Sequence, residues 1–190
     1  MGRNFLVSPN FRLSDWEGLR FTSEADWELA IKIVEDRIRG RILVWTEKIK
    51  DERFSGFAVL ALDCTLLESL YGFQHGRSTR DTKAVYEDML QRAPFFFDKP
   101  VATSFYSDVR CGILHDGETR NLWLIEQHVP PGQILAKNSK DEFILNRTEF
   151  HKAVVCAVES WVSLLKQGDR DARENMKKRM DEIIKKHSQA

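Results

Sequence analysis

Residues Ser55-Gly56-Phe57-Ala58-Val59-Leu60-Ala61-Leu62-Asp63-Cys64-Thr65-Leu66-Leu67-Glu68-Ser69-Leu70-Tyr71 decide the fold. Apolar side chains cover every face of this stretch, the pattern of a helix enclosed by other helices rather than laid on a surface. Two carboxylates, Asp63 and Glu68, sit inside it. A carboxylate in so apolar a helix is costly unless it meets a cation or several donors. Each therefore needs a partner, either a structural salt bridge or a place beside a functional arginine.

Working outward, the helix stops near Gly72 and Gly76, leaving Gln74, His75, Arg77 and Arg80 in or beside a polar loop, a weak RNA-contacting edge. Upstream, Ser23-Glu24-Ala25-Asp26 has the spacing of a capping box, with Ser23 accepting from an orphan amide and Asp26 reaching back. From there Trp27, Ile31, Val34, Ile38, Ile42, Trp45 and Ile49 recur at steps of three and four. They predict one long helix with a single apolar stripe over about seven turns, interrupted only mildly by Gly40. Arg37, Arg39 and Arg41 read as a solvated flank. Residues 1–22 carry Phe5, Phe11, Trp16 and Phe21 without a period and are expected to drape over the main body.

Downstream, Ser78-Thr79-Arg80-Asp81 repeats the capping-box spacing ahead of a surface helix with Val85, Met89 and Leu90 on a narrow face up to Ala93. Pro94 closes it, and Phe95-Phe96-Phe97 are expected to plug the core. Asp98-Lys99-Pro100 opens a further helix, proline suiting a first turn, and Gly117 ends it. The pattern then changes to β-like runs, Leu122–Ile125, Ile134–Ala136 and Phe143–Leu145, separated by Val129-Pro130-Pro131-Gly132 and Asn138-Ser139-Lys140-Asp141. These predict a small antiparallel meander at about 121–147. Thr148 reads as the cap of the last core helix, with Phe150, Val154, Ala157, Val158, Trp161 and Leu165 at helical spacing. After Gly168-Asp169, residues 170–187 form a charged helix with Met176, Met180, Ile183 and Ile184 on one side. The expected fold is mainly α, a four-helix bundle with the meander inserted before its last core helix. The expected organisation is an N-terminal segment 1–22, a helical domain 23–166 and a charged tail 167–190.

The 190 residues balance 29 basic against 29 acidic side chains, which excludes a global positive field, so any RNA or DNA contact must be local. The N-terminus lacks a basic region followed by a long apolar run, and no apolar stretch is expected to approach bilayer-spanning length, which reads as a soluble, cytoplasmic protein without a membrane partner. Cys64, Cys111 and Cys156 lie far apart in apolar segments, predicting reduced, mostly buried thiols rather than a disulfide framework or a zinc knuckle. No metal or cofactor is expected. His75, His128, His151 and His187 read as ordinary surface residues.

The chemistry concentrates in Ser104-Phe105-Tyr106-Ser107-Asp108-Val109-Arg110-Cys111-Gly112-Ile113-Leu114-His115-Asp116-Gly117-Glu118. Arg110 is a cation that does not deprotonate, and His115 is an imidazole that does. His115 occupies the last helical turn, where the negative end of the helix favours imidazolium, and Asp116 and Glu118 add to that preference. Five positions separate the pair, about 7.5 Å of rise and roughly 140° of rotation, so they do not share a face of an ideal helix. They converge on one phosphate only if the arginine curls round, the last turn distorts, or a second protomer brings its own pair alongside.

This run, followed by Thr119 and Trp123, resembles the HEPN family of higher eukaryotes and prokaryotes, and within it a bacterial plasmid- and phage-defence branch. The specific likeness covers about residues 100–125, and the helix order extends it loosely over 24–166. The family's arginine, four to six residues and histidine match Arg110 and His115. Where members often place a polar residue after the arginine, this chain has Cys111, a weak donor. The resemblance implies a HEPN-like bundle whose protomers pair to form a cleft. It further implies an endoribonuclease, a toxin or defence effector that a partner protein restrains, needing no metal and cutting through attack by the neighbouring 2′-hydroxyl. Arg110 would hold the scissile phosphate, His115 would transfer the proton, and Glu68, or else Asp63, would orient Arg110, with Asp108 flanking the pair.

Other readings stay open. Arg110 could neutralise Asp63 inside the bundle while His115 merely caps its helix. Cys111 and His115, one turn apart, could form a thiolate–imidazolium pair or two metal ligands, though no third ligand is visible. A catalytically silent bundle that binds nucleotide or RNA, or serves as an interaction adaptor, keeps the same fold.

Overall fold

The structure, a computed structural model, describes residues 4–127 and 132–188. The predicted turn at Val129-Pro130-Pro131 and His128 lie outside the described residues. The chain is mainly helical with a small three-stranded sheet. It divides into two compact units, one built from Met1–Trp45, Ser69–Ser78 and Val158–Ala190, the other from Thr46–Glu68 and Thr79–Ala157.

In the first unit, α1 (Leu13–Glu17) precedes α2 (Glu24–Ile38), which continues through a π-helical turn, Arg39–Leu43, into α3 (Val44–Ile49), whose residues from Thr46 on belong to the second unit. Ser23 caps α2 by accepting from the Asp26 amide at 3.2 Å, and the Asp26 carboxylate accepts from Thr22 rather than Ser23. The π turn alters the expected stripe. Ile31, Val34 and Ile38 are buried as the spacing predicts, but beyond the turn the buried positions are Leu43 and Thr46, not Ile42 and Trp45. A wider turn takes up one extra residue and advances the inward face by one position.

Gly40 lies in that turn, where an added Cβ would come within 2.6 Å of Pro9 Cγ. The N-terminal segment is fastened here. Ser8 Oγ and Asn10 donate to the Asp36 carboxylate, Arg37 donates to the Val7 carbonyl and Arg41 to the Leu6 carbonyl. Arg37 and Arg41 are thus clamps rather than the solvated flank expected, while Arg39 stays part-exposed in a pair with Glu35, and burial pushes Arg37 down to about 10. The charged tail is α9 (Arg170–Ser188), which buries Met176, Met180 and Ile184 while Arg173 pairs with Glu24.

In the second unit, α4 (Gly56–Gln74) contributes its residues up to Glu68. By length and composition alone α4 could cross a bilayer, contrary to the sequence expectation. In the folded chain Val59, Leu60, Cys64, Leu66 and Leu67 are buried, as a core helix requires. α5 (Thr82–Met89) is capped by Asp81, whose carboxylate accepts from the Ala84 amide, so its cap lies three residues later than Ser78. Of the three phenylalanines, Phe95 and Phe97 are buried and Phe96 points outward. Asp98 caps α6 (Lys99–Ser104), which passes through a second π turn, Phe105–Arg110, into α7 (Cys111–Asp116). Gly117 ends α7 with φ +74, the left-handed conformation expected.

The strands β1 (Trp123–Glu126), β2 (Leu135–Lys137) and β3 (Phe143–Asn146) run in the order β1-β3-β2. β2 pairs antiparallel with β3, but β1 pairs parallel with it, Trp123 opposite Phe143. The sheet is therefore mixed, not the antiparallel meander expected. The turn after Asn138 closes a β2–β3 hairpin, leaving the other edge of β3 for β1, which pairs there in the parallel sense. Trp123 ties sheet to helix, its ring edge-on to Phe105 and its indole N–H donating to Ser104 Oγ at 2.8 Å. Phe105 in turn stacks on Phe150 of α8 (Arg147–Lys166). Asn146, rather than Thr148, caps α8 by accepting from the Thr148 and Glu149 amides.

Candidate functional site

Arg110 closes the π turn with its side chain largely withdrawn from solvent against α4 and α5. Its Nε donates to Glu68 Oε1 at 2.8 Å, and the same oxygen receives the Tyr86 hydroxyl at 3.0 Å. Tyr86 also lies 3.2 Å from the Cys64 carbonyl and is wholly buried, which raises its phenol well above the ordinary value. Burial opposes the charge on Arg110, yet the hydrogen bond and charge of Glu68 outweigh it and hold the guanidinium above its ordinary value. Nη1 lies 4.0 Å from Cys111 Sγ, and the guanidinium carbon sits 5.8 Å from the centroid of the Tyr106 ring. Neither terminal nitrogen has a carboxylate partner among the described residues. Glu68, not Asp63, is thus the acid on Arg110.

His115 is exposed in the last turn of α7, beside the exposed Leu114. The five residues from Arg110 to His115 run through a regular α segment, so the two side chains stay on different faces of the helix. Among the described residues the half-buried Cys111 receives Arg110 Nη1, and no hydrogen bond joins it to His115. Asp116 is engaged by Arg120. Within one chain the arginine and the imidazole are not brought together.

Asp108 does not contact Arg110. Its carboxylate accepts from Ser104 Oγ at 2.7 Å and from Asn121 Nδ2 at 2.8 Å, while its carbonyl accepts from the Arg120 amide at 2.8 Å. It fastens the chain leaving α7 back onto the π turn. Gly112 permits this return, because a Cβ there would meet the Glu118 carbonyl oxygen at 2.4 Å.

Asp63 takes a partner the sequence reading assigned to the surface. His151 is buried on α8, with Nδ1 2.8 Å from Asp63 Oδ1 and Nε2 3.1 Å from Glu47 Oε1. The spacing held a signal for this, since Arg147, His151, Val154 and Val158 recur along one helix face and all four are buried. Burial raises the Asp63 carboxyl, and Asp63 Oδ2 finds no partner among the described residues. Burial also opposes charge on His151, but its two carboxylate neighbours raise it above the ordinary value. Cys64 is buried and its thiol is pushed up to about 12, whereas Cys156 is exposed, against the expectation of mostly buried thiols.

The residues of the weak RNA-binding trio are placed one by one. His75 stacks on Tyr71 with centroids 3.9 Å apart and its Nδ1 2.9 Å from the Tyr71 carbonyl, an arrangement internal to its own helix. Arg77 and Arg80 are exposed, the first within the first unit and the second within the other. Among the described residues no group of three or more His, Cys, Asp or Glu side chains is placed to hold a metal ion. No family model matches this chain, and comparison with curated proteins and with solved structures finds no match either.

Proposed function

We propose that this chain is an endoribonuclease of the HEPN type, acting in the cytoplasm as a homodimer. The observation that carries the reading is the grip of Glu68 on Arg110 Nε, which leaves both terminal nitrogens without an acid among the described residues. An arginine held by its inner nitrogen presents its outer fork at a fixed angle, the arrangement that receives a phosphate. His115 supplies an exposed imidazole on another face of the same helix, so a second protomer must complete the site, and the exposed Leu114 gives the two copies an apolar contact. In the reaction the 2′-oxygen attacks phosphorus, the bond to the 5′-oxygen breaks, and a 2′,3′-cyclic phosphate remains. Arg110 offsets charge on the phosphoryl oxygens, and His115 moves the proton.

The test is incubation of labelled RNA with the wild-type chain, Arg110→Ala and His115→Ala in the presence of EDTA. Cleavage by wild type to a cyclic phosphate end, lost in both variants and on a 2′-deoxy substrate, supports the reading. Cleavage that persists in either variant overturns the catalytic assignment. Retention of RNA without cleavage by the wild-type dimer identifies a silent binding bundle instead.

A further inference from the structure

Arg147, the first residue of α8, is 94% withdrawn from solvent, and among the described residues it forms no ion pair with a carboxylate. Its partners are neutral. Nη1 donates to Ser55 Oγ at 2.7 Å, and Nη2 lies 2.9 Å from Gln127 Oε1 and 3.5 Å from the Glu52 carbonyl. A buried cation held only by neutral groups leaves its charge uncompensated, a costly state that an anion relieves.

This guanidinium lines a groove of about 410 Å³, within the size range of small-molecule sites. The groove walls are apolar, formed by Phe54, Phe57, Trp123 and Ile125, with Glu126 the carboxylate among its lining residues. Gly56 lies beside the cation, where an added Cβ would stand in ordinary contact with Arg147 Nη1 at 3.4 Å. Phe54 is 84% exposed and has φ +66, a left-handed backbone that bulky residues avoid. Strain of this kind, held on an exposed aromatic side chain, belongs where a loop is shaped to meet something.

We propose that this groove binds a small organic carboxylate with an aromatic body, the carboxylate on the Arg147 guanidinium and the ring between Phe54 and Phe57. The guanidinium N–H groups that Ser55, Gln127 and Glu52 leave over can donate to a carboxylate, and the two phenylalanines of the lining suit a flat apolar body. The site draws on no residue of the Arg110 pair and stands or falls independently of ribonuclease activity.

Calorimetric titration of the full chain with 2-naphthoate, and separately with the uncharged 2-naphthamide, tests it. Saturable binding of the acid, with the amide weaker by about tenfold or more, is expected. Arg147→Met should erase that preference. Because Arg147 also anchors the loop at Ser55, the deciding variant is Phe54→Ala, which removes an exposed ring without touching the core. It should weaken naphthoate binding by at least about threefold while circular dichroism stays unchanged. Absence of saturable binding, equal binding of acid and amide, or full affinity in Phe54→Ala would overturn the proposal.

Discussion

Glu68 Oε1 stands 2.8 Å from Arg110 Nε and receives the Tyr86 hydroxyl on the same oxygen, so one carboxylate of an apolar helix holds both the cation of the candidate site and the aromatic residue behind it. The contact is intra-unit, largely shielded from water, and made through the inner nitrogen. It orients the guanidinium rather than occupying it.

Glu68→Ala should consequently weaken stability and activity together. A hydrogen bond to a charged group contributes about 1.5–3 kcal/mol, and a double-mutant cycle with Arg110→Ala read by urea denaturation should return a coupling in that range. If the chain cleaves RNA, Glu68→Ala should slow it by about a hundredfold through misplacement of the arginine. Glu68→Gln, which keeps one acceptor, should recover part of the rate. A coupling near zero would mean that the two side chains do not depend on each other.

The buried His151 gives a pH dependence of definite sign. Its two ring nitrogens face Asp63 and Glu47, and Lys50 flanks the Glu47 carboxylate. Two carboxylates on two nitrogens require both nitrogens to carry hydrogen, so the imidazolium is the form the fold favours, even though burial raises Asp63 as well. A folded value raised above the ordinary 6.5 means that this contribution is full below 6.5 and is lost as pH rises through the folded value. Melting temperature should therefore fall on the alkaline side of the ordinary histidine range. His151→Gln should flatten that slope and cost about 3 kcal/mol at neutral pH, since it leaves Asp63 buried without its cation. A wild-type melting curve that rises with pH over this window would contradict the assignment.

Local chemistry was readable and long-range pairing was not. Ser23, Asp98 and Gly117 do at the helix ends what their side chains or backbones dictate within a few residues. The need of Glu68 for a cation was legible from its apolar surroundings, and so was the need of Asp63. That Asp63 meets His151 instead of Arg110 depends on α8 packing against α4, which no local spacing specifies. The same holds for the parallel pairing of β1 with β3. Both π turns are tertiary effects as well, each coinciding with a glycine or a carboxylate that another segment presses on, Gly40 under Pro9 and Asp108 under Asn121. Arg147 escaped notice because an arginine at a helix start reads as exposed, although it shares the buried face of His151.

Gly40→Ala tests the first of these turns. The added methyl would meet Pro9 Cγ at 2.6 Å, and the ring must move for it to fit. The helix itself gains, since alanine is the better helix former by about 1 kcal/mol. The expected outcome is an intact helix with a loosened N-terminal segment. Amide exchange should quicken at Val7 and Asn10, whose amides are held by the Phe11 carbonyl and by Asp36 respectively, and proteolysis should begin before Leu13. Unchanged exchange at both amides would show that the segment accommodates the methyl.

Gly112→Ala bears on the site directly. In an isolated helix the change would be favourable, but here the new Cβ would meet the backbone carbonyl oxygen of Glu118 at 2.4 Å, and a backbone atom cannot swing aside as a side chain does. Either the chain after Gly117 lifts away from α7, or the helix tilts. Lifting breaks the bond from the Arg120 amide to the Asp108 carbonyl, and with it the hold of Asn121 on the Asp108 carboxylate. The cost expected from overpacking is about 1–3 kcal/mol in chemical denaturation. Because the return segment fixes the turn that carries His115, RNA cleavage in Gly112→Ala should fall further than stability alone accounts for, while the Glu68–Arg110 coupling, built on the other side of the π turn, should persist. Loss of that coupling in the Gly112→Ala background would show that α7 moves as a whole, and that the orientation of Arg110 depends on the return segment as much as on Glu68.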